Sequence, residues 1–184
     1  DKVLRLTMLL HDVAKPACRT TDESGSDHFY GHPKEGSEIA RKILRRLKFD
    51  NDTTDKVCRL VCWHDDNPPL SEKNIRRAVS RIGVEQYPAL FAVKRADILA
   101  QSEYQRGEKL AYVDGYEALY RDILEKNQCL TIRDLAVNGS DLIAAGMKPG
   151  KEIGETLKGL LELVLDEPEL NTKERLLERI CSHE

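Results

Sequence analysis

The sequence has no apolar run approaching the roughly 20 residues that a helix needs to cross a bilayer, so we expect no membrane partner. Asp1 and Lys2 lead into a helical pattern rather than a secretory signal. Aromatic residues are scarce at 5%, so Leu, Ile, Val and Ala must fill most of the core. A net charge of -3 gives no overall attraction for nucleic acid, so any RNA contact must come from a local basic patch.

The sequence also has no C-x-x-C pair among its five cysteines. Their odd number argues against a complete disulfide framework. Cys58 and Cys62 lie four residues apart on a predicted helix and would hold zinc only with partners from elsewhere. The alternative, that the thiols pack as small hydrophobic groups, is favoured by the general burial of cysteine. Because thiols stay reduced most simply in a reducing compartment, we expect a cytoplasmic protein.

Apolar residues repeat at helical spacing along most of the chain, and no stretch alternates as a strand does. The predicted fold class is therefore all-α. The predicted helices cover residues 1–13, 33–47, 53–64, 71–83, 88–105, a segment after Gly107, 153–165 and 173–181. Residues 17–33 are polar and irregular, and a loop of this length suggests a function. The pattern changes near Asn127, which predicts a helical domain over residues 1–128 and a small helical module over residues 129–184.

The pair His11-Asp12 follows the apolar run Met8-Leu9-Leu10 and so lies at the buried end of a helix. Neighbouring residues differ by about 100° around a helix, so both side chains can face one ion at its end. Imidazole and carboxylate together suit Zn, Mn, Fe, Co or Ni. Alone the dipeptide is weak evidence, since a capping Asp beside a chance His is common.

Three further residues support a metal site. His64 shares a helical face with Val57 and Leu60, and Asp97 shares one with Leu90. An ionised carboxylate on an inward face is costly unless a cation or donors compensate it. His32 closes the polar loop immediately before a helix. Each inward histidine alone is more often a satisfied core residue, but this series of acids and histidines is hard to explain by packing.

In this order, His11-Asp12, His32, His64 and Asp97 resemble the HD superfamily of metal-dependent phosphohydrolases. The resemblance implies an HD-type helical bundle that uses these five residues to bind a divalent metal, with Mn, Mg, Ni, Co, Fe and Zn all open. It also implies a catalytic role for His11 and Asp12. The first histidine of the family signature normally lies upstream of the His-Asp pair, and no histidine precedes His11 in this sequence.

A closer resemblance is to the HD region and tail of bacterial CCA-adding tRNA nucleotidyltransferases and the related poly(A) polymerase family. The matching segments are Leu9 to Pro16, His28 to Pro33 with Gly36, Arg95 to Asp97 with Ala100 and Gln101, Asn138 to Leu142, Gly146, Pro149-Gly150, Ile153-Gly154, and Pro168 to Thr172. Ala14 stands where the family has Gly. No segment resembles the head that carries the polymerase chemistry, so this chain alone should not add nucleotides.

The resemblance implies the HD and tail part of a tRNA nucleotidyltransferase, with tRNA and a nucleotide or phosphoester substrate as partners. Within it, the HD domain would hydrolyse nucleotide phosphoesters by lowering the pKa of a metal-bound water that attacks phosphorus. Two alternatives stay open. One is a free-standing HD nucleotide phosphohydrolase without a link to tRNA. The other is a non-catalytic RNA-binding scaffold.

Several charged residues have both a functional and a structural interpretation. Lys15 follows the metal pair and would meet a substrate phosphate as a catalytic residue, or it neutralises a helix C-terminus. His28 is a substrate-side acid or a loop residue.

The proposed RNA contacts are Arg41 and Arg45 on one basic helix face, and Lys148 and Lys151 around a helix start. Arg76, Arg77 and Arg81 form a second basic cluster. The alternative for the two arginine clusters is a solvated helix face. The alternative for Lys148 and Lys151 is a capped turn in which glycine supplies unusual backbone angles.

Overall fold

A computed structural model describes residues 1–181, except the side chain of Cys181; the last three residues, including His183, lie outside this description. The described chain is helical, which confirms the all-α prediction. Its helices are α1 (Lys2–Leu10), α2 (His32–Arg46), α3 (Asn51–Trp63), α4 (Glu72–Ile82), α5 (Tyr87–Ala100), α6 (Arg106–Glu125), α7 (Gly139–Ala144), α8 (Lys151–Asp166) and α9 (Lys173–Cys181). Short 3₁₀ turns occur at Val84–Gln86, Ile132–Asp134 and Pro168–Leu170. Among the described helices, none is long and apolar enough to span a bilayer.

The polar segment between α1 and α2 contains a small hairpin instead of a wholly irregular loop. Strand β1 (Thr20–Thr21) pairs antiparallel with β2 (Asp27–His28). The carboxylate of Asp22 holds the turn, since it accepts from the backbone N–H groups of Ser24 and Ser26 at 2.9 and 3.0 Å. Two-residue strands are too short to produce an alternating pattern, so the sequence did not predict them.

The chain folds into two compact units. The first comprises Asp1–Asn67 and Glu85–Gly115. The second comprises Pro68–Val84 and the described chain from Tyr116 onward. Helix α6 runs from the first unit into the second. The predicted boundary at residue 128 falls inside the second unit, and the division into domains 1–128 and 129–184 stays a prediction.

The core of the first unit forms where α1, α2 and α3 pack together, with α5 against α1 and α3. Its buried cluster consists of Leu10, Ala40, Leu44, Val57, Cys58 and Val61. The spacing of four residues within α2, and of three and four residues within α3, places these side chains on one face of each helix. Cys58 is 1% exposed, and burial raises the pKa of its thiol. This cysteine therefore packs as a small hydrophobic group, the alternative that the sequence favoured.

Several helix boundaries differ from the prediction: α1 ends at Leu10 rather than at residue 13, and α5 ends at Ala100 rather than at residue 105. Two further differences concern the starts of α3 and α6. Helix α3 begins at Asn51 rather than near Thr53, because the Asp50 carboxylate accepts from the backbone N–H of Thr53 at 2.8 Å and caps the helix. The prediction that Gly107 separates two helices is wrong, since Gly107 lies inside α6. The chain turns just before it, where Gln105 adopts a φ of 52°.

In the second unit, Arg76 ties α4 to the C-terminal end of α8. Its side chain is buried and donates to the backbone carbonyls of Leu165 and Asp166 at 2.7 and 3.2 Å. Both interpretations of the cluster of Arg76, Arg77 and Arg81, a solvated helix face and an RNA contact, are therefore wrong for Arg76. The last carbonyls of a helix have no N–H donor within the helix, and the buried Arg76 guanidinium supplies donors to two of these carbonyls.

We expect Arg76→Met to lower the free energy of unfolding of the second unit by about 3 kcal/mol, because a buried cation is removed while its acceptors stay buried. Denaturant titration followed by circular dichroism measures the change. Arg77→Met is the matched control: Arg77 is 44% exposed and pairs with Asp166, so its loss should cost less than about 1 kcal/mol. Equal stabilities for the two variants would contradict the role of Arg76.

Candidate metal centre

Three histidines lie at helix ends in the first unit. His11 and His64 are the C-terminal caps of α1 and α3, and His32 is the first residue of α2. Gly31 precedes His32 with a φ of 78°, a left-handed conformation that glycine adopts without the strain that a β-carbon would cause. His32 and His64 are 6% and 8% exposed, so these imidazoles are withdrawn from bulk water.

The Nδ1 atom of each imidazole faces a backbone carbonyl three residues earlier. The distances are 2.9 Å from His11 to Met8, 2.8 Å from His32 to Phe29, and 2.8 Å from His64 to Val61. Because a carbonyl oxygen only accepts, Nδ1 carries the proton, and Nε2 of the neutral ring keeps its lone pair. Metal-binding histidines usually have this second-nitrogen contact, which fixes both the tautomer and the ring orientation.

The Nε2 atoms of two of these rings converge on Asp12. His32 Nε2 and His64 Nε2 are 3.3 Å apart, and they lie 3.5 and 3.6 Å from Asp12 Oδ1. One ligand atom from each residue falls within 4.8 Å of the others. With Nδ1 protonated in both neutral rings, two lone pairs face each other beside a carboxylate. This arrangement is unfavourable by itself and favourable around a cation.

Two polar atoms of the cluster are buried without a hydrogen-bond partner in the part of the chain that the structure describes. They are His11 Nε2 and Asp12 Oδ1. His11 Nε2 lies 3.3 Å from Asp12 Oδ2 and 3.3 Å from Asp97 Oδ1, but it is not aligned for a hydrogen bond to either. Leaving a buried polar atom unsatisfied costs about 1–3 kcal/mol. Imidazole nitrogens and carboxylates are the donors that transition metals prefer, so these residues fit a divalent ion.

The charges of the cluster shift three pKa values. The Asp97 carboxylate raises the pKa of His11, against the opposing effect of burial. His11 in turn lowers the pKa of Asp97. Burial lowers the pKa of His64. Asp97 is therefore held as a carboxylate and His64 as a neutral imidazole, which are the forms that bind a metal.

Lys15 lies at the edge of the cluster and pairs with Asp12. Its Nζ atom is 2.6 Å from Asp12 Oδ2 and 5.9 Å from the centre of the Phe29 ring. The Lys15 side chain is 38% exposed, so its ammonium neutralises Asp12 on one side and meets solvent on the other. This position is compatible with a contact to a substrate phosphate.

The structure thus brings all six residues predicted as catalytic or metal-binding into one cluster: His11, Asp12, Lys15, His32, His64 and Asp97. Their roles as metal ligands and catalytic groups stay predictions. His28, by contrast, pairs with Asp22 on the hairpin at 2.8 Å and stacks on the ring of Tyr30. These contacts favour the interpretation of His28 as a loop residue.

A cavity of about 450 Å³ opens beside the cluster and was not predicted. His64 and Asp97 line it from the cluster, and Lys109 and Tyr112 line it from α6. Residues around a surface cavity follow no helical period, so the sequence carries no signal for them. Lys94 also lines the cavity. The one sequence signal that could have connected Lys94 with the site is its position one helical turn before Asp97.

The predicted RNA-contacting residues differ in their surroundings. Arg41 is already paired with Asp55 at 2.6 Å. Arg45 and Lys148 are exposed. Lys151 is 91% exposed and lies 3.4 Å from a Glu155 oxygen. Of this set, Arg45, Lys148 and Lys151 therefore offer the more accessible charges.

Comparisons with known proteins bear on most of the chain. A family model described as tRNA nucleotidyltransferase domain 2 matches residues 34–180, a range that includes His64 and Asp97 but not His11, Asp12 or His32. The chain is 36% identical over 160 residues to the CC-adding tRNA nucleotidyltransferase of Thermus thermophilus, covering 86% of this chain and 35% of that protein. It is 31% identical over 166 residues to the A-adding tRNA nucleotidyltransferase of Deinococcus radiodurans, covering 88% and 37%. The chain spans just over a third of the length of these curated relatives. No solved structure gave a significant match.

Proposed function

The chain belongs to the tRNA nucleotidyltransferase domain 2 family, and from that premise we propose that it is the HD and tail part of a tRNA nucleotidyltransferase. Its first unit carries a divalent-metal phosphohydrolase site for nucleotide phosphoesters, and its exposed basic residues contact tRNA. The observation that carries the phosphohydrolase proposal is the convergence of the Nε2 atoms of His11, His32 and His64 on the Asp12 carboxylate. The names of the two relatives support tRNA as the partner.

Each residue of the cluster has a role in the proposed site. Asp12, His32 and His64 would hold the ion, and His11 and Asp97 would complete its surroundings. A divalent ion held there would supply a bound water of lowered pKa and would polarise a phosphoryl oxygen. Lys15 places a positive charge where a substrate phosphate would arrive. The adjoining cavity of about 450 Å³ is within the usual size range of small-molecule sites.

The two alternatives are weighed by different observations. A free-standing nucleotide phosphohydrolase would not need the tail, whereas the family match continues through the tail to residue 180. A non-catalytic RNA-binding scaffold would keep the cluster only as a fold-stabilising metal site. Hydrolysis measured with and without metal separates this scaffold from the proposed enzyme.

We expect the metal-stripped protein, reloaded with Mn, Mg, Ni, Co, Fe or Zn in turn, to hydrolyse chromogenic phosphomonoesters or phosphodiesters only when metal is present. His11→Ala should lower the rate about 100-fold, the upper end of the usual effect of losing a residue that supports a metal site. Elemental analysis should find bound metal in the wild type. The control is His28→Ala, which removes a histidine on the hairpin and should leave the rate unchanged.

The outcomes of this experiment separate the proposals. Bound metal without hydrolysis of any phosphoester would favour the scaffold. Absence of bound metal after reloading would contradict the metal centre itself. Hydrolysis that survives His11→Ala would place the activity elsewhere.

A further inference from the structure

Lys94 is a buried cation that the proposed metal centre does not use as a ligand. It is 5% exposed, and its ammonium donates to three oxygens at the end of α3. These acceptors are the backbone carbonyls of His64 and Asp66, at 2.9 and 2.7 Å, and the side-chain oxygen of Asn67, at 3.0 Å. Burial lowers the pKa of Lys94 to about 8, so the ammonium is still mainly protonated at neutral pH.

The three acceptors place Lys94 between two parts of the cluster. The carbonyl of His64 belongs to the C-terminal cap of α3, where carbonyls lack intrahelical donors. On α5, Asp97 follows Lys94 by three residues, so both lie on adjacent turns of one face. One ammonium therefore connects the backbone that carries His64 to the helix that carries Asp97.

We propose that Lys94 is a positioning residue for the metal centre: its ammonium holds the His64 turn against α5 and so keeps His64 and Asp97 in register. The inference rests on the proposed metal centre and adds to it a residue that touches neither metal nor substrate. A ligand set on separate helices needs such a connection, because side chains held only by their own rotamers lose order and affinity. The same type of contact ties α4 to the end of α8 through Arg76, but in the second unit, whereas the candidate ligands belong to the first.

That parallel provides a matched pair of variants for testing the inference with Co²⁺ as the probe. Titration of the metal-free full chain, followed by Co²⁺ absorption and by calorimetry, gives the affinity. Lys94→Met should weaken Co²⁺ binding about tenfold, the usual size of an outer-shell effect, and should change the absorption spectrum of the bound ion. Arg76→Met removes a buried cation from another helix end. It should lower the unfolding temperature but leave both the Co²⁺ affinity and the spectrum unchanged.

Lys94→Gln keeps a hydrogen-bond donor at the position and gives a second measurement where Lys94→Met does not fold. If both variants fold, the Co²⁺ affinity of Lys94→Gln should lie between that of Lys94→Met and that of the wild type. If Lys94→Met does not fold, Lys94→Gln should still bind Co²⁺ more weakly than the wild type. Wild-type affinity and spectrum in every folded Lys94 variant would overturn the positioning role alone. An equal loss of affinity in Arg76→Met would also overturn it, because general destabilisation would then explain the effect. Failure of the wild type to bind Co²⁺ would overturn the metal centre and this inference with it.

Discussion

The Asp12→Asn variant is expected to bind divalent ions at least about 100-fold more weakly than the wild type. Outer-shell residues typically contribute 10- to 100-fold to metal affinity, and Asp12 is a candidate direct ligand at the centre of the cluster. Its two oxygens lie between 2.6 and 3.6 Å from polar atoms of Lys15, His11, His32 and His64. Replacing the carboxylate by an amide removes the negative charge while keeping the shape.

The metal-free stability should respond in a different way from the affinity. The Asp12–Lys15 pair is partly exposed on both sides, and such a pair contributes about 1 kcal/mol or less. An Asn amide can also donate to a histidine Nε2 lone pair, which the carboxylate cannot do. We therefore expect the unfolding temperature of the metal-free variant to stay within about 4 °C of the wild type.

Isothermal titration with Mn²⁺ or Co²⁺ and a thermal melt of the metal-free proteins check both expectations. Asp22→Asn is the matched control, since Asp22 also pairs with a histidine, His28 at 2.8 Å, but on the hairpin. It should bind metal like the wild type. Equal affinity of Asp12→Asn and wild type would remove Asp12 from the ligand set, and a collapse of the metal-free fold would make the carboxylate primarily structural.

The sequence predicted those site residues that occupy an unusual position for a polar side chain, on the inward face of a helix or at its end. His64 and Asp97 share inward faces with apolar residues, and a polar group on such a face needs a partner. His11 and Asp12 follow an apolar run, and His32 directly precedes a proline that opens a helix. The structure brings these residues within contact distance of one another, although their role as ligands stays a prediction.

Other features depend on tertiary packing and left no pattern in the sequence. Lys94 and Arg76 read as ordinary charged helix residues, because their acceptors are carbonyls of helices distant in sequence. The partner of Arg76, for example, lies 89 residues away. Similarly, the cavity between α5 and α6 has no sequence period. A backbone carbonyl is present at every position, so a contact to one cannot be inferred from residue type.

Binding of tRNA through local phosphate contacts is the second expectation with a large effect. With a net charge of -3, the chain as a whole repels a polyanion, so binding must depend on accessible basic residues. Arg45, Lys148 and Lys151 are exposed, whereas Arg41 is held by Asp55. Each neutralised phosphate contributes about 0.7–0.9 to the slope of log affinity against log salt.

The triple charge reversal Arg45→Glu, Lys148→Glu and Lys151→Glu should therefore flatten that slope by roughly 2 to 3. Three such phosphate contacts would make the tRNA affinity of the wild type fall roughly 20- to 40-fold more between 50 and 200 mM salt than that of the triple variant. Fluorescence anisotropy with labelled tRNA across this salt range measures both quantities. The control triple reverses Lys2, Lys56 and Lys126, which are exposed and paired with carboxylates, and it changes the net charge by the same amount.

Specific phosphate contacts and a general charge effect give different results in this experiment. If Arg45, Lys148 and Lys151 bind phosphates, only the first triple flattens the slope, because the control lysines neutralise carboxylates rather than phosphates. If both triples act equally, net charge alone governs binding and these three residues make no specific contact. A duplex DNA of matched length separates tRNA binding from general attraction to phosphates, since both polymers offer the same charged groups in different shapes. Equal affinity for DNA and tRNA would reduce the contact to nonspecific electrostatics, whereas a preference for tRNA that disappears in the first triple would show that these residues contact tRNA.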